Sequence, residues 1–255
     1  MTSEHAAATR SQGGADFAEA ADPYCLGPDE AQALLAGHPW RRFAVLGDSI
    51  AEGVAEPMPG YSPLPLADRV AAELDRAGPG TAYLNLGRRG LRTHEVRATQ
   101  LDTALAFRPD LALVVCGAND ALRPGYETRA DGVDRDLAAM VEALQTRGAR
   151  VITLSIFVRS LYPSLPAWLQ PSPTERMATL GRRTNALAAR LGTTHVDLAD
   201  HPTARDPRTI SRDGLHGNGR SQAVAAAEIV RALGALLPLP HTHAARFTPE
   251  QERGG

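Results

Sequence analysis

Two short motifs, far apart in the chain, contain residue types that could act together in nucleophilic catalysis. Gly47-Asp48-Ser49 directly follows the apolar residues 43–46, and Asp213-Gly214-Leu215-His216 lies near the C-terminus. A serine hydroxyl needs a base to become a nucleophile, and a histidine oriented by an aspartate is such a base. His216 could take the proton of Ser49, and Asp213 could orient the imidazole ring. Each motif alone also suits an ordinary helix cap or a loop histidine.

Two further motifs lie between these and contain groups that could stabilise an oxyanion. Asn85-Leu86-Gly87-Arg88-Arg89-Gly90 follows a predicted strand, and a glycine N–H there can approach a ligand closely. Gly117-Ala118-Asn119-Asp120 follows the next strand, and the amide of Asn119 can donate a hydrogen bond. Each motif would also suit a common turn.

The elements that would position these residues alternate between strand and helix. The apolar patterns predict strands at 43–46, 82–86, 111–116, 151–157 and 195–198. They predict helices at 65–77, 93–107, 131–147, 174–191 and 220–237, after a short helix that begins at Pro28. Such alternation indicates a mostly parallel sheet with helices on both faces, and the strand at 111–116 is apolar enough to be central. Ligands of these sheets bind at the carboxyl ends of the strands, where Ser49 and Asn119 lie.

The four motifs, in this order, resemble those of the SGNH hydrolases, also called GDSL-type esterases and lipases. The resemblance covers about residues 40–236 and looks closest to leaderless, intracellular actinobacterial members. It implies a flavodoxin-like three-layer α/β/α sandwich with a five-stranded parallel sheet. It also implies Ser49 as the nucleophile, His216 as the base and Asp213 as its partner. The oxyanion hole would be the N–H groups of Ser49 and Gly90 and the side chain of Asn119. Gly87 competes with Gly90 for this role, but Gly90 fits the family spacing better.

The resemblance implies a carboxylic ester hydrolase that forms an acyl-enzyme on Ser49 and needs no metal or organic cofactor. Two alternatives stay open: an acyltransferase that uses the same acyl-enzyme, and a non-catalytic flavodoxin-like protein that binds a small molecule. Neither a Walker-type phosphate loop nor a dinucleotide fingerprint is present in the sequence.

Substrate contacts are predicted less specifically. Two loops rich in Pro and aromatic residues, 56–65 and 159–173, could wall the pocket through Tyr61 and Trp168, and the longer one could act as a lid. These loops favour small or short-chain acyl esters over long-chain lipid. Arg88 and Arg89 could meet an anionic substrate group, although a solvated basic patch is the simpler interpretation. Asp48 is expected to hold its loop by hydrogen bonds. His195, Asp197 and His201 could suggest a metal, but surface residues at a strand end are favoured.

Composition bounds the remaining possibilities. The 255 residues carry a formal net charge of −2, and every basic residue other than histidine is arginine. This balance gives no electrostatic case for nucleic acid or an anionic membrane as partner. The resemblance implies a small-molecule ester as the partner. No apolar stretch approaches a membrane span or a signal-peptide core, which makes the cytoplasm the expected location. We expect disordered tails at 1–27 and 238–255 around one hydrolase domain at 28–237. The oligomeric state is not indicated.

Overall fold

A parallel sheet of five strands forms the centre of the protein. The computed structural model describes residues 19–157 and 171–238. The strands, in chain order, are β1 (Arg42–Gly47), β2 (Ala82–Asn85), β3 (Leu111–Val115), β4 (Arg150–Ser155) and β5 (Thr194–Asp197). Their order across the sheet is β2-β1-β3-β4-β5, and all neighbouring pairs are parallel.

Helices cover both faces of this sheet. In the described part of the chain they are α1 (Pro28–Leu34), α2 (Ser49–Glu52), α3 (Leu66–Ala77), α4 (Thr93–Phe107), α5 (Ala118–Ala121), α6 (Tyr126–Thr146), α7 (Pro171–Leu191) and α8 (Gly219–Gly234). Helices α1, α3 and α8 pack on one face, and α4, α6 and α7 pack on the other. None of the helices described has the length and apolar character needed to cross a bilayer.

The side chains of β3 show why the sheet is covered on both sides. All five residues of this strand are buried. Leu111, Leu113 and Val115 face the core under α3 and α8, whereas Ala112 and Val114 face the core under α4 and α6. This alternation follows from the two-residue period of a strand. The predicted three-layer sandwich with a central β3 is therefore confirmed.

The boundaries of several elements differ from the sequence prediction. Helix α6 begins at Tyr126, five residues before the predicted start, and the Tyr126 ring is fully buried. Gly125, with φ +74°, precedes it and lets the chain turn sharply into the helix. Helices α2 and α5 have a single turn each, which is too short to show a hydrophobic period, so the sequence pattern does not predict them.

Residues 19–25, which we call the N-terminal strap, differ from the expectation of a disordered tail. Glu19 accepts a hydrogen bond from Ser62 N (2.8 Å), and its other carboxylate oxygen pairs with Arg69. The Asp22 carboxylate is completely buried, and Cys25 packs beside Tyr61 and α8. The strap is therefore part of the folded domain. The rest of the two predicted tails, 1–18 and 239–255, lies outside the described residues.

Candidate active site

Ser49 lies where β1 turns into α2, at the carboxyl edge of the sheet. The turn requires Gly47, because a Cβ there would lie 2.0 Å from the carbonyl oxygen of Val115 on β3. Asp48 caps the helix, and its Oδ1 accepts a hydrogen bond from Ile50 N (3.1 Å). Ser49 is thus the first residue of a helical turn, where the backbone N–H has no partner within the helix.

The structure brings Ser49, His216 and Asp213 into one hydrogen-bonded chain. His216 Nε2 lies 3.1 Å from Ser49 Oγ, and His216 Nδ1 lies 2.7 Å from Asp213 Oδ2. The carboxylate assigns the ring proton to Nδ1, which leaves Nε2 free to accept the serine proton. This is the geometry that general-base activation of a serine requires.

Asp213 is held as a carboxylate by donors on its own loop. Its Oδ1 accepts hydrogen bonds from the N–H groups of Leu215 and His216, both at 2.9 Å. Partial burial opposes ionisation, but the hydrogen bonds from the His216 ring and from these N–H groups outweigh it and lower the pKa of Asp213. A charged Asp213 keeps the imidazole oriented and stabilises its protonated form.

The loop that carries these two residues, residues 206–219, is here called the histidine loop. It closes on itself through a hydrogen bond from Ser211 N to His216 O (2.9 Å). Glu56, on the loop after α2, accepts a hydrogen bond from Arg212 N (2.7 Å), and its own N–H donates to Ser211 Oγ (3.1 Å). These contacts fix His216 relative to the segment that follows Ser49.

Asn119 lies next to Ser49 at the end of β3, on α5. Its Nδ2 donates to Leu91 O (3.0 Å), and Asp48 Oδ2 lies 3.5 Å away. Leu91 is the residue after Gly90, so this hydrogen bond joins the Asn119 amide to the loop that contains Gly90. Ser49, Asn119 and His216 line one cavity.

The two candidate glycines of the loop after β2 have different surroundings. A Cβ on Gly87 would lie 2.3 Å from Glu52 N, so this glycine is needed for close packing against α2. Gly90 has φ +81°, and the space around it is open. Its N–H stays a candidate oxyanion donor, whereas Gly87 has a packing reason to be glycine.

Two buried carboxylates lie behind the nucleophile. Asp48 is fully buried; its burial, together with the nearby charge of Asp120, raises its pKa to about 7. Asp120 Oδ2 accepts hydrogen bonds from Thr93 N and Oγ1 at 2.8 and 2.9 Å, which fixes the start of α4. Asp48 holds its loop by hydrogen bonds, as the sequence suggested.

The tyrosine and the two arginines that were expected to contact the substrate do not line the cavity beside Ser49. Tyr61 is buried in the contact with the N-terminal strap, where its hydroxyl donates to Asp22 Oδ2 (2.7 Å), and it does not line the cavity. This corrects the prediction of Tyr61 as a pocket residue: its side chain packs with Cys25 and α8 and bonds to Asp22. Arg89 pairs with Glu52 (3.2 Å), and Arg88 is exposed; neither lines the cavity. Trp168 and most of the 159–173 loop lie outside the described residues.

Both ring nitrogens of His195, a residue type that can bind a metal, have hydroxyl groups as hydrogen-bond partners. His195 Nδ1 lies 2.9 Å from Thr153 Oγ1, and its Nε2 lies 3.0 Å from Ser155 Oγ. Burial lowers the pKa of His195, which favours the neutral ring. Within residues 19–157 and 171–238, no group of His, Cys, Asp or Glu is arranged to hold a metal ion.

The cavity beside Ser49 has a volume of about 100 Å³ and an apolar interior. Its inner wall includes Leu66, Leu198 and Ala225, all of which are at most 5% exposed. No residue of the 56–65 loop is among its described lining residues, so this loop does not form the expected pocket wall. The sequence carried no signal for these wall residues, since buried Leu and Ala look alike whether they line a cavity or a solid core.

Most of the chain matches a known protein family. A model of the GDSL-like lipase/acylhydrolase family matches residues 45–224. This range contains Ser49, Asn119, Asp213 and His216. No curated protein matches the chain.

Several solved structures share the fold at low sequence identity. LAE5, an α/β hydrolase enzyme from the metagenome of Lake Arreo, superposes with a TM-score of 0.61 at 19% identity, over 81% of this chain and all of that one. The lipase/acylhydrolase of Enterococcus faecalis gives 0.60 at 23% identity, over 78% and 97% of the two chains. A catalytic mutant of Axe2, an acetylxylan esterase of Geobacillus stearothermophilus, gives 0.61 at 17% identity, over 78% and 95%.

Proposed function

Because this chain belongs to the GDSL-like lipase/acylhydrolase family and is a carboxylic ester hydrolase of that type, we propose that it cleaves short-chain esters through an acyl-enzyme on Ser49. One observation carries the proposal. Ser49 Oγ, the His216 ring and the Asp213 carboxylate form a continuous relay with contacts of 3.1 and 2.7 Å. A serine in such a relay can lose its proton as it attacks a carbonyl.

The reaction then follows in two halves. In the first, Ser49 Oγ bonds to the carbonyl carbon, its proton passes to His216 Nε2, and the resulting tetrahedral oxyanion collapses. The alcohol leaves with the proton from His216, and the acyl group stays on Ser49. In the second half, His216 takes a proton from water, the hydroxide attacks the acyl-enzyme, and the carboxylic acid is released as Ser49 regains its proton.

The oxyanion is stabilised by donors at the rim of the cavity. We assign this role to the N–H groups of Ser49 and Gly90 and to the Asn119 side chain. One N–H of the Asn119 amide holds Leu91 O at 3.0 Å. The other has only Asp48 Oδ2 nearby, at the long distance of 3.5 Å, so a substrate oxyanion can attract it.

Fluorophosphonate labelling followed by intact-mass analysis tests the proposal. We expect one adduct on the wild type, none on Ser49→Ala, and strongly slowed labelling of His216→Ala. Folded wild type that gains no adduct would contradict an activated serine. In a labelled enzyme, p-nitrophenyl ester turnover and product analysis with competing alcohols then separate a hydrolase from an acyltransferase.

A second serine–histidine pair in the molecule gives the matched control. Ser155 Oγ lies 3.0 Å from His195 Nε2, close to the distance at Ser49, but the other ring nitrogen faces the hydroxyl of Thr153. Ser155 is also almost fully buried. We expect Ser155→Ala to be labelled as fast as the wild type, and loss of the adduct in this variant would point to the wrong serine.

A further inference from the structure

We propose that the apolar cavity behind Ser49 is the acyl site of the enzyme, and that it favours apolar acyl groups longer than acetyl. This inference rests on the proposed function, because the cavity begins at Ser49, Asn119 and His216. Beyond that function, we infer which part of the ester enters the cavity and which residues limit the length of that part.

The cavity extends inward along α8. Ser221 and Ala225 both line it and stand one helical turn apart, so the wall runs about 6 Å along the helix. Leu66 at the start of α3 and Leu198 after β5 close the same region, and each is 1% exposed. The cavity therefore continues beyond the space that the reacting carbonyl needs.

Its walls suit methylene groups and not a sugar. None of the described lining residues is Asp, Glu, Lys or Arg. Two polar side-chain atoms on this wall already bond within the protein: Ser221 Oγ donates to Asn218 O (2.8 Å), and Gln222 Oε1 accepts from Leu66 N (2.8 Å). A hydroxylated ligand placed here would lose its hydrogen bonds to water with little in return, whereas an alkyl chain gains from leaving water.

The position of His216 indicates which side of the ester lies inside. The alcohol takes its proton from His216 and must leave, after which water enters at the same point. The His216 and Asp213 side chains are 21% and 48% exposed, so this side of the site faces solvent. Leu66, Leu198 and Ala225 form the buried side, which is left for the acyl group that stays on Ser49.

Chain-length profiles on p-nitrophenyl acetate, butyrate, hexanoate and octanoate test the proposal. Burial of one methylene contributes about 0.8 kcal/mol, or about fourfold in kcat/KM. We expect kcat/KM to rise by about that factor for each methylene beyond acetate until the cavity is filled, and then to level off. A wild-type profile that is flat from acetate to butyrate would overturn the acyl site, even if Ser49 is labelled and acetate is hydrolysed.

Two substitutions change the cavity in opposite directions. Ala225→Leu fills the inner end, so kcat/KM for hexanoate should fall by about tenfold while that for acetate stays within about twofold. Leu198→Ala enlarges the cavity, so the favoured chain length should increase; this variant also decides the matter if Ala225→Leu does not fold. Ala226→Leu is the control, because Ala226 is equally buried but lines a groove on another side of α8. An equal effect of Ala225→Leu on every ester would contradict the inference.

The same variants distinguish the acyl from the alcohol side. On a series of alkyl acetates, in which only the alcohol grows, Ala225→Leu should leave the profile unchanged. A change confined to this series would place the alcohol in the cavity and overturn the assignment. Absence of both fluorophosphonate labelling and ester turnover would instead refute the proposed function itself.

Discussion

Asp22 and Arg220 are 198 residues apart in the sequence and form a buried ion pair, with 2.6 Å between Asp22 Oδ2 and Arg220 Nε. Their side chains are 0% and 3% exposed. Burial opposes ionisation of Asp22, but hydrogen bonds from Arg220 and Tyr61 lower its pKa. Arg220 lies in the first turn of α8, four residues after His216. The pair therefore joins the N-terminal strap to the helix that follows the histidine loop.

Replacing this carboxylate should destabilise the whole domain. Asp22→Asn removes one of the carboxylates that pair with the buried Arg220 guanidinium, while Asp206 remains, and loss of one partner of a buried pair costs about 3–5 kcal/mol. We expect the free energy of unfolding, measured by urea denaturation, to fall by about 3 kcal/mol, at the low end because Asp206 remains. Glu52→Gln breaks the exposed pair with Arg89 and should cost about 1 kcal/mol or less. Equal losses in the two variants would contradict this account.

The buried Asp48 predicts a pH dependence of stability with an unusual sign for a carboxylate. Its pKa is raised from 3.8 to about 7, so between these values the folded state binds more protons than the unfolded state. The contribution of the protonated Asp48 carboxyl to the free energy of unfolding is fully present below pH 3.8 and is lost as the pH rises through about 7. Urea denaturation across this range should show wild-type stability falling relative to Asp48→Asn, which has no proton to lose.

Asp213→Asn is the control for this titration, because the pKa of the Asp213 carboxylate is shifted down in the folded protein and that of Asp48 is shifted up. The pKa of Asp213 is lowered, so its contribution is present above the ordinary value of 3.8 and is lost as the pH falls. A stability difference between wild type and Asp48→Asn that stays constant with pH would mean that Asp48 does not titrate in this range.

Removal of the Asn119 amide should slow the chemical step. Asn119→Ala deletes the proposed oxyanion donor, and one such donor is worth about 10²–10³ in kcat. We expect that loss in kcat on a p-nitrophenyl ester, with KM changed by about threefold or less because the donor acts on the transition state. Asn185→Ala removes a hydrogen bond from Nδ2 to Asp197 Oδ2 (3.1 Å) far along α7 and should leave both constants unchanged. A rise in KM alone would assign Asn119 to ground-state binding.

Alanine at the two glycines of the loop after β2 should have separable effects. Gly87→Ala places a Cβ 2.3 Å from Glu52 N and should cost about 1–3 kcal/mol of stability through overpacking. Gly90→Ala meets no atom, so its cost is the roughly 1 kcal/mol of a left-handed φ. Because that strain shifts the turn, kcat should fall more than KM rises in Gly90→Ala. Unchanged kcat in a well-folded Gly90→Ala would contradict the expected shift of this turn.

Much of the fold was predictable because its signals are local. The apolar run at 111–116 showed a strand buried on both faces, and the strand-helix alternation indicated the parallel sheet. The carboxyl ends of parallel strands meet at one edge, so Ser49 and Asn119 were expected near each other. The spacing of Asp213 and His216 placed both on one loop without further information.

The features that sequence reasoning missed depend on distant contacts. Residues 1–21 are polar and rich in alanine, and the N-terminal strap is held by the pair between Asp22 and Arg220 at the other end of the chain. The proline-rich loop around Tyr61 suggests a pocket wall, but the Tyr61 hydroxyl donates a hydrogen bond to the same Asp22. The cavity walls at Leu198 and Ala225 have no residue type of their own that separates them from the core.

The N-terminal strap also limits the positions at which this enzyme can be truncated or fused to another protein. The family match begins at residue 45, inside β1, and ends at residue 224, inside α8. A recombinant fragment trimmed to that match would lose Asp22, one of the carboxylates that pair with Arg220, and the first half of β1. We therefore expect the smallest fragment that folds by itself to begin at or before Glu19, and an affinity tag or fused domain should be attached ahead of that residue.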